Sequence, residues 1–190
     1  MHGPGGVFAA EGPPPLPVTL RLETPGDEPG VRRVNEAAFP GPEEADIVDA
    51  IRADAPAGWQ SIVALDSAGD VVGHLLLSPC PLESPTGERV GEVLALGPVA
   101  VLPAVQFRGV GSALITASLS LAMARAIPAV VLLGHPSYYP RFGFVSARSV
   151  GLLPPADAWP DAAWMARLLP AWSDDFRGTV RYHPAFGPLA

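Results

Sequence analysis

Val93-Leu94-Ala95-Leu96-Gly97-Pro98-Val99-Ala100-Val101-Leu102-Pro103 leads into Gln106-Phe107-Arg108-Gly109-Val110-Gly111-Ser112, and that loop opens straight into an apolar-periodic segment, Ala113 to Ala126. Strand, glycine-bearing turn and helix in this order predict a site for phosphate. The first turn of a helix leaves backbone N–H groups without intrahelical partners. The helix dipole adds partial positive charge there, so an anion is held without any lysine. Gly109 and Gly111 let the main chain approach the oxygens, which a side chain would hold off. The alternative reading is an ordinary strand-to-helix connection.

Two other phosphate motifs are excluded. A dinucleotide loop needs a third glycine two residues further on and an acid on a following strand. A Walker loop needs Gly-Lys-Ser or Gly-Lys-Thr, and this chain contains no lysine.

Upstream, Val18 to Leu22 alternates as a half-buried strand, and Val31, Val34, Ala37 and Ala38 recur at helical spacing. A second helix is predicted from Glu43 to Asp54, introduced by Pro42. Gln60 to Asp66 and Val71 to Ser78 form two strands around the turn Ser67-Ala68-Gly69-Asp70, an antiparallel hairpin. Pro79 to Arg89 is turn-rich, with Cys80 a half-buried loop thiol, and the next strand begins near Gly91. Gly97-Pro98 interrupts that strand with a bulge or splay. Its parallel neighbour is the apolar run Ala129 to Gly134, reached through the helix that follows Gly109. Near the C-terminus, Asp161 to Leu169 reads as a short helix and Thr179 to His183 as a final strand.

After Gly134 comes His135-Pro136-Ser137-Tyr138-Tyr139-Pro140-Arg141-Phe142-Gly143-Phe144. The two motifs in this order, Gln-x-x-Gly-x-Gly and Tyr-x-Arg-x-Gly-Phe, resemble the GNAT superfamily of acyl-coenzyme A-dependent N-acetyltransferases, and the second resembles the branch often called YhbS-like. An Asn common in that family a turn or two before the Tyr is absent, and Pro136 and Pro140 shorten the helix.

The resemblance covers about Val18 to Val145. It implies a GNAT-like α/β (α+β) fold: a mixed, mainly antiparallel sheet with a splayed parallel strand pair and helices on both faces. It also implies N-acetylation of a primary amine by direct attack on acetyl-CoA, without metal. Pyrophosphate would lie on Gln106, Phe107, Arg108, Gly109, Val110, Gly111 and Ser112, and pantetheine along Val99, Ala100 and Val101. In this reading Tyr139 is the general acid and Tyr138 packs away from the site. Glu92 is the candidate base, His135 approaches the pantetheine end, and His74 is a core histidine. The other function class in play is an acetyl-CoA-binding regulatory module without turnover.

The 190 residues suit one domain over 18–190, 146–190 being its less certain part, behind a Gly- and Pro-rich disordered leader, 1–17. A net charge of −7 with scattered arginines argues against a nucleic-acid surface. No apolar run reaches the roughly 20 residues of a membrane span. The single cysteine fits a reducing, cytoplasmic compartment. The acceptor amine and the oligomeric state, a homodimer included, stay open.

Overall fold

A computed structural model describes residues 13–156 and 159–189; most of the expected leader, residues 1–12, lies outside the described residues. The hairpin forms as the turn residues dictate. Strands β2 (Gln60–Leu65) and β3 (Val71–Glu83) pair antiparallel, and the Asp66 carboxylate closes the turn by accepting the N–H groups of Ala68 and Asp70 at 2.9 and 3.0 Å. Strand β1 (Thr19–Leu22) pairs antiparallel with β2, and β4 (Arg89–Val101) with β3.

Strand β3 is longer than the sequence indicated. Pro79, Cys80 and Pro81 belong to it, and the reversal is confined to Ser84–Glu88. Both prolines are tolerated because their nitrogens face away from β4. The Pro81 carbonyl on that side accepts the Arg181 N–H at 2.9 Å, while β2 has already ended opposite Leu77. Cys80 is therefore a fully buried strand residue, and burial pushes its thiol up to about 12.

Helices α1 (Glu28–Ala38) and α2 (Glu43–Asp54) lie on one face of the sheet, with Val31, Val34, Val48 and Ile51 against Val63, Leu76 and Ala100. Helix α3 (Val110–Ala124) covers the opposite face through Leu114 and Ile115 against Ile62, Leu75 and Leu94. It connects β4 to β5 (Ala129–Leu133), its parallel neighbour. Short strands β6 (Val145–Ser146), β7 (Leu152–Leu153), β8 (Trp164–Leu168) and β9 (Gly178–Val180) complete a nine-stranded sheet, ordered β1-β2-β3-β4-β5-β8-β6 with β9 joining β3 and β7. Mixed, mainly antiparallel, with helices on both faces, it has the expected fold class.

The helix expected over Asp161 to Leu169 is instead strand β8. All five of its residues pair with β5, whose outer edge would otherwise be bare, so tertiary pairing overrides the helix preference of Met165, Ala166, Arg167 and Leu168. The C-terminal part is an integral layer: Trp159, Trp164 and Val180 cover Leu82, Val93 and Val131 beside the area covered by α1 and α2.

Candidate active site

The splay is visible in the pairing itself. The parallel ladder between β4 and β5 joins only Leu94 with Val130 and Ala95 with Val131, and then stops at Gly97-Pro98, opposite a register shift in β3. Beyond it the Leu102 N–H donates to the Val72 carbonyl at 3.0 Å, so the N–H groups of Leu102 and Ala100 point toward β3. By alternation, the backbone groups of Val99 and Val101 point into the gap. The side chain of Ala100 is buried against α1 on the other side.

The glycine-bearing loop follows. Its first intrahelical bond runs from the Ala113 N–H to the Gly109 carbonyl at 3.0 Å, which leaves the N–H groups of Val110, Gly111 and Ser112 without helical acceptors. Phe107, at φ 61° and 93% exposed, and Gly109, at φ 85°, are both left-handed, and this curls the loop around its amides. Gln106 braces the loop: its side-chain amide donates to the Val101 carbonyl at 3.1 Å.

Two cavities meet here. One, about 560 Å³, is lined by Val101, Gln106, Phe107, Gly109, Gly111 and Ser112. The other, about 660 Å³, lies toward α2 and the tail and takes in Glu44, Gly97 and His135. Phe39, Val99, Tyr138 and Tyr139 line both, so the trench is continuous through them.

Tyr139 starts a short 3₁₀ turn, Tyr139–Phe142, ended by left-handed Gly143. Its ring lies against Gly134: a Cβ built on Gly134 would come within 2.4 Å of the ring edge. Burial, and then Tyr138, push the Tyr139 phenol up to about 12, so it is a protonated donor at neutral pH.

Other expected residues are distributed unevenly. Tyr138, read as packing, lines both cavities, with its hydroxyl 3.4 Å from where a Cβ on Gly111 would stand. Arg108 is absent from either lining and donates through Nε to the Pro14 carbonyl at 3.1 Å. Arg141 lines the smaller cavity instead, its guanidinium 4.0 Å from the Tyr138 ring centroid and its Nε–H bonded to the Tyr138 carbonyl at 2.9 Å. In the sequence both Arg108 and Arg141 are candidate cations for the phosphates, and only Arg108 is taken up there because it stands inside the loop.

Glu92 is not brought to the trench. It pairs across from Pro81, lines neither cavity, and its carboxylate accepts from Arg89 at 2.7 Å. His74 is fully buried between α1 and the sheet, its Nδ1 3.0 Å from the Asn35 amide and its Nε2 2.9 Å from the Ser61 hydroxyl. Among the described residues no group of three or more His, Cys, Asp or Glu is placed to hold a metal ion, and no helix is long and apolar enough to cross a membrane.

Comparison with known proteins agrees with this geometry. A profile described as the Acetyltransferase (GNAT) family matches residues 29–144. The uncharacterised N-acetyltransferase YhbS of Escherichia coli K12 is 30% identical over 172 residues, covering 88% of this chain and 97% of that protein. The crystal structure of E. coli YhbS in complex with CoA has a TM-score of 0.80 at 27% identity, over 95% of this chain and 97% of that one. A GNAT acetyltransferase from Brucella melitensis, in complex with acetyl-CoA, has a TM-score of 0.71 at 33% identity, over 89% and 97% of the two chains.

Proposed function

This chain belongs to the GNAT family of acetyltransferases, and from that premise we propose that it transfers the acetyl group of acetyl-CoA to a primary amine by direct attack. The observation that carries this reading is the meeting of the two cavities at Val99 and Tyr139, where unpaired strand backbone lies beside a protonated phenol.

Pyrophosphate fits the amides of Val110, Gly111 and Ser112, with Arg141 supplying the cation that the lysine-free loop lacks. Pantetheine runs along the edge of β4 and bonds the main chain at Val99 and Val101 as an added strand would. That places the thioester carbonyl by the Val99 N–H, which stabilises negative charge as it forms on the oxygen. The amine arrives from the larger cavity as its free base and bonds the carbonyl carbon. The C–S bond then breaks, and the Tyr139 hydroxyl gives its proton to the departing thiolate. His135, the imidazole lining that cavity, takes the proton released by the amine. Glu92 has no place in these steps.

A reducing, cytoplasmic setting belongs to this reading and rests on the single cysteine, which has no second thiol in the chain to pair with. Isothermal titration with acetyl-CoA tests the reading directly. A micromolar dissociation constant is expected, and absence of binding refutes it.

A further inference from the structure

The larger cavity is walled by pieces of chain far apart in sequence. Phe39 comes from the connection between α1 and α2, Ile47 from α2, Trp159 from the segment before β8, and Tyr182 and Phe186 from beyond β9. The last three brace one another edge to face, Trp159 with Tyr182 at 5.2 Å and Tyr182 with Phe186 at 4.9 Å between ring centroids. Backbone pairing fixes this wall: β9 is bonded to β3 and β7, and the Arg181 N–H donates to the Pro81 carbonyl at 2.9 Å. His183 Nε2 then lies 2.9 Å from the Asp54 carboxylate at the end of α2, which joins the tail to the opposite side of the cavity. The aromatic surface is preformed.

Among the described residues, one carboxylate lines the cavity, that of Glu44 in the first turn of α2. It has no ion-pair or hydrogen-bond partner among the described residues, whereas Asp46 and Asp49 on the same helix are both paired with Arg32. A carboxylate beside apolar rings that has no partner in the protein offers a ligand cation its counter-charge. One acid compensates one ammonium. Ser137, His135 and three tyrosines are the other polar side chains of the lining, none of them a second carboxylate, so the further ammonium groups of a polyamine would find no second counter-charge here and the many hydroxyls of an aminoglycoside would face largely aromatic and aliphatic walls.

We propose that the acceptor is a monoamine carried on an aromatic framework, an arylalkylamine, whose ring packs on Phe39, Trp159 and Phe186 while Glu44 draws its ammonium to the cavity, where loss of one proton to solvent gives the free base that attacks. The cavity of about 660 Å³ is within the range that takes small organic ligands. Glu44 is a specificity-determining residue in this assignment, and the assignment rests on the acetyltransferase reading.

The two fail separately. Release of CoA is followed with phenethylamine, tryptamine, spermidine and kanamycin, while acetyl-CoA binding is measured by calorimetry on the same preparation. The arylalkylamines should show kcat/KM at least about tenfold above spermidine and kanamycin. Glu44→Gln should raise the KM for phenethylamine about tenfold, as loss of a charge-assisted contact does, with kcat and acetyl-CoA affinity nearly unchanged. No turnover of either arylalkylamine, equal or better use of spermidine or kanamycin, or an unmoved KM in Glu44→Gln overturns the assignment. Acetyl-CoA binding that persists in those cases leaves the acetyltransferase reading standing; its absence removes both.

Discussion

The N–H of Leu16 donates to the carbonyl of Arg108 across 2.9 Å, and Arg108 Nε–H donates back to the carbonyl of Pro14 at 3.1 Å. Two bonds thus fasten the segment ahead of β1 to the outer side of the anion loop, and Leu16 packs against the core under α3. They hold the loop in its left-handed curl from outside while its amides stay free on the inside. Removing residues 1–17 gives up both bonds. At about 1 kcal/mol each, acetyl-CoA affinity should fall about 30-fold by calorimetry, and Arg108→Ala, which gives up one, about fivefold. An unchanged dissociation constant in the truncated chain would show the strap to be inert.

Tyr139 is assigned a proton, not a binding contact. Tyr139→Phe keeps the ring that lies on Gly134 and deletes only the hydroxyl, so kcat should drop about 100-fold or more while acetyl-CoA affinity stays within about twofold. Because burial holds the phenol up to about 12, the wild-type rate should show no alkaline fall from this group below about pH 10. Equal kcat values for the two proteins would remove Tyr139 from the mechanism.

Gly134 sets where that hydroxyl stands. A methyl group there would overlap the Tyr139 ring edge, at 2.4 Å, and Leu132 Cδ1, at 2.9 Å. Gly134→Ala must therefore push the ring out of place. Overpacking of this kind costs about 1–3 kcal/mol, read as a lower Tm, and the misplaced hydroxyl should lower kcat by about the same factor as Tyr139→Phe. A variant that melts lower yet turns over normally would separate packing at Gly134 from the chemistry.

How much of this was legible depended on how local the determinant was. The glycine loop and the Tyr139 turn are written in adjacent residues, since Gly109 and Gly143 each answer a local backbone need, and so are the bounds of α2, Glu43 to Asp54. Strand β8 is not, because what makes Trp164–Leu168 extended is the open edge of β5, some thirty residues earlier in the chain. The same holds for Cys80: it is buried by β4 on one side and the tail on the other, not by its proline neighbours. The bond of Arg108 to Pro14 was not legible either, because Pro14 sits in a stretch whose composition reads as leader. The larger cavity was the least legible part, for its wall joins the α1–α2 connection and α2 to Trp159, Tyr182 and Phe186, and no spacing rule links them.

The buried His74 makes the fold sensitive to acid in a window of its own. The Asn35 amide donates to Nδ1, so the Nε2–H donates to the Ser61 hydroxyl, which in turn donates to Glu23, and Arg52 closes the chain on Glu23 at 2.6 Å. A second proton on the ring would face the Asn35 donor inside a dry interface, with the Arg52 charge nearby. Burial first, and Arg52 second, lower the His74 pKa to about 3. A folded-state pKa depressed below the unfolded value of about 6.5 means that the unfolded chain takes up the proton first. The contribution is complete above about pH 6.5 and is lost as pH falls, at about 1.4 kcal/mol per unit, before most carboxylates protonate. Urea unfolding between pH 6.5 and 4.5 should show a loss of about 2–3 kcal/mol, and His74→Gln, which keeps a donor and an acceptor but cannot be protonated, should flatten it. If the two proteins lose stability in parallel over that window, His74 is not its source.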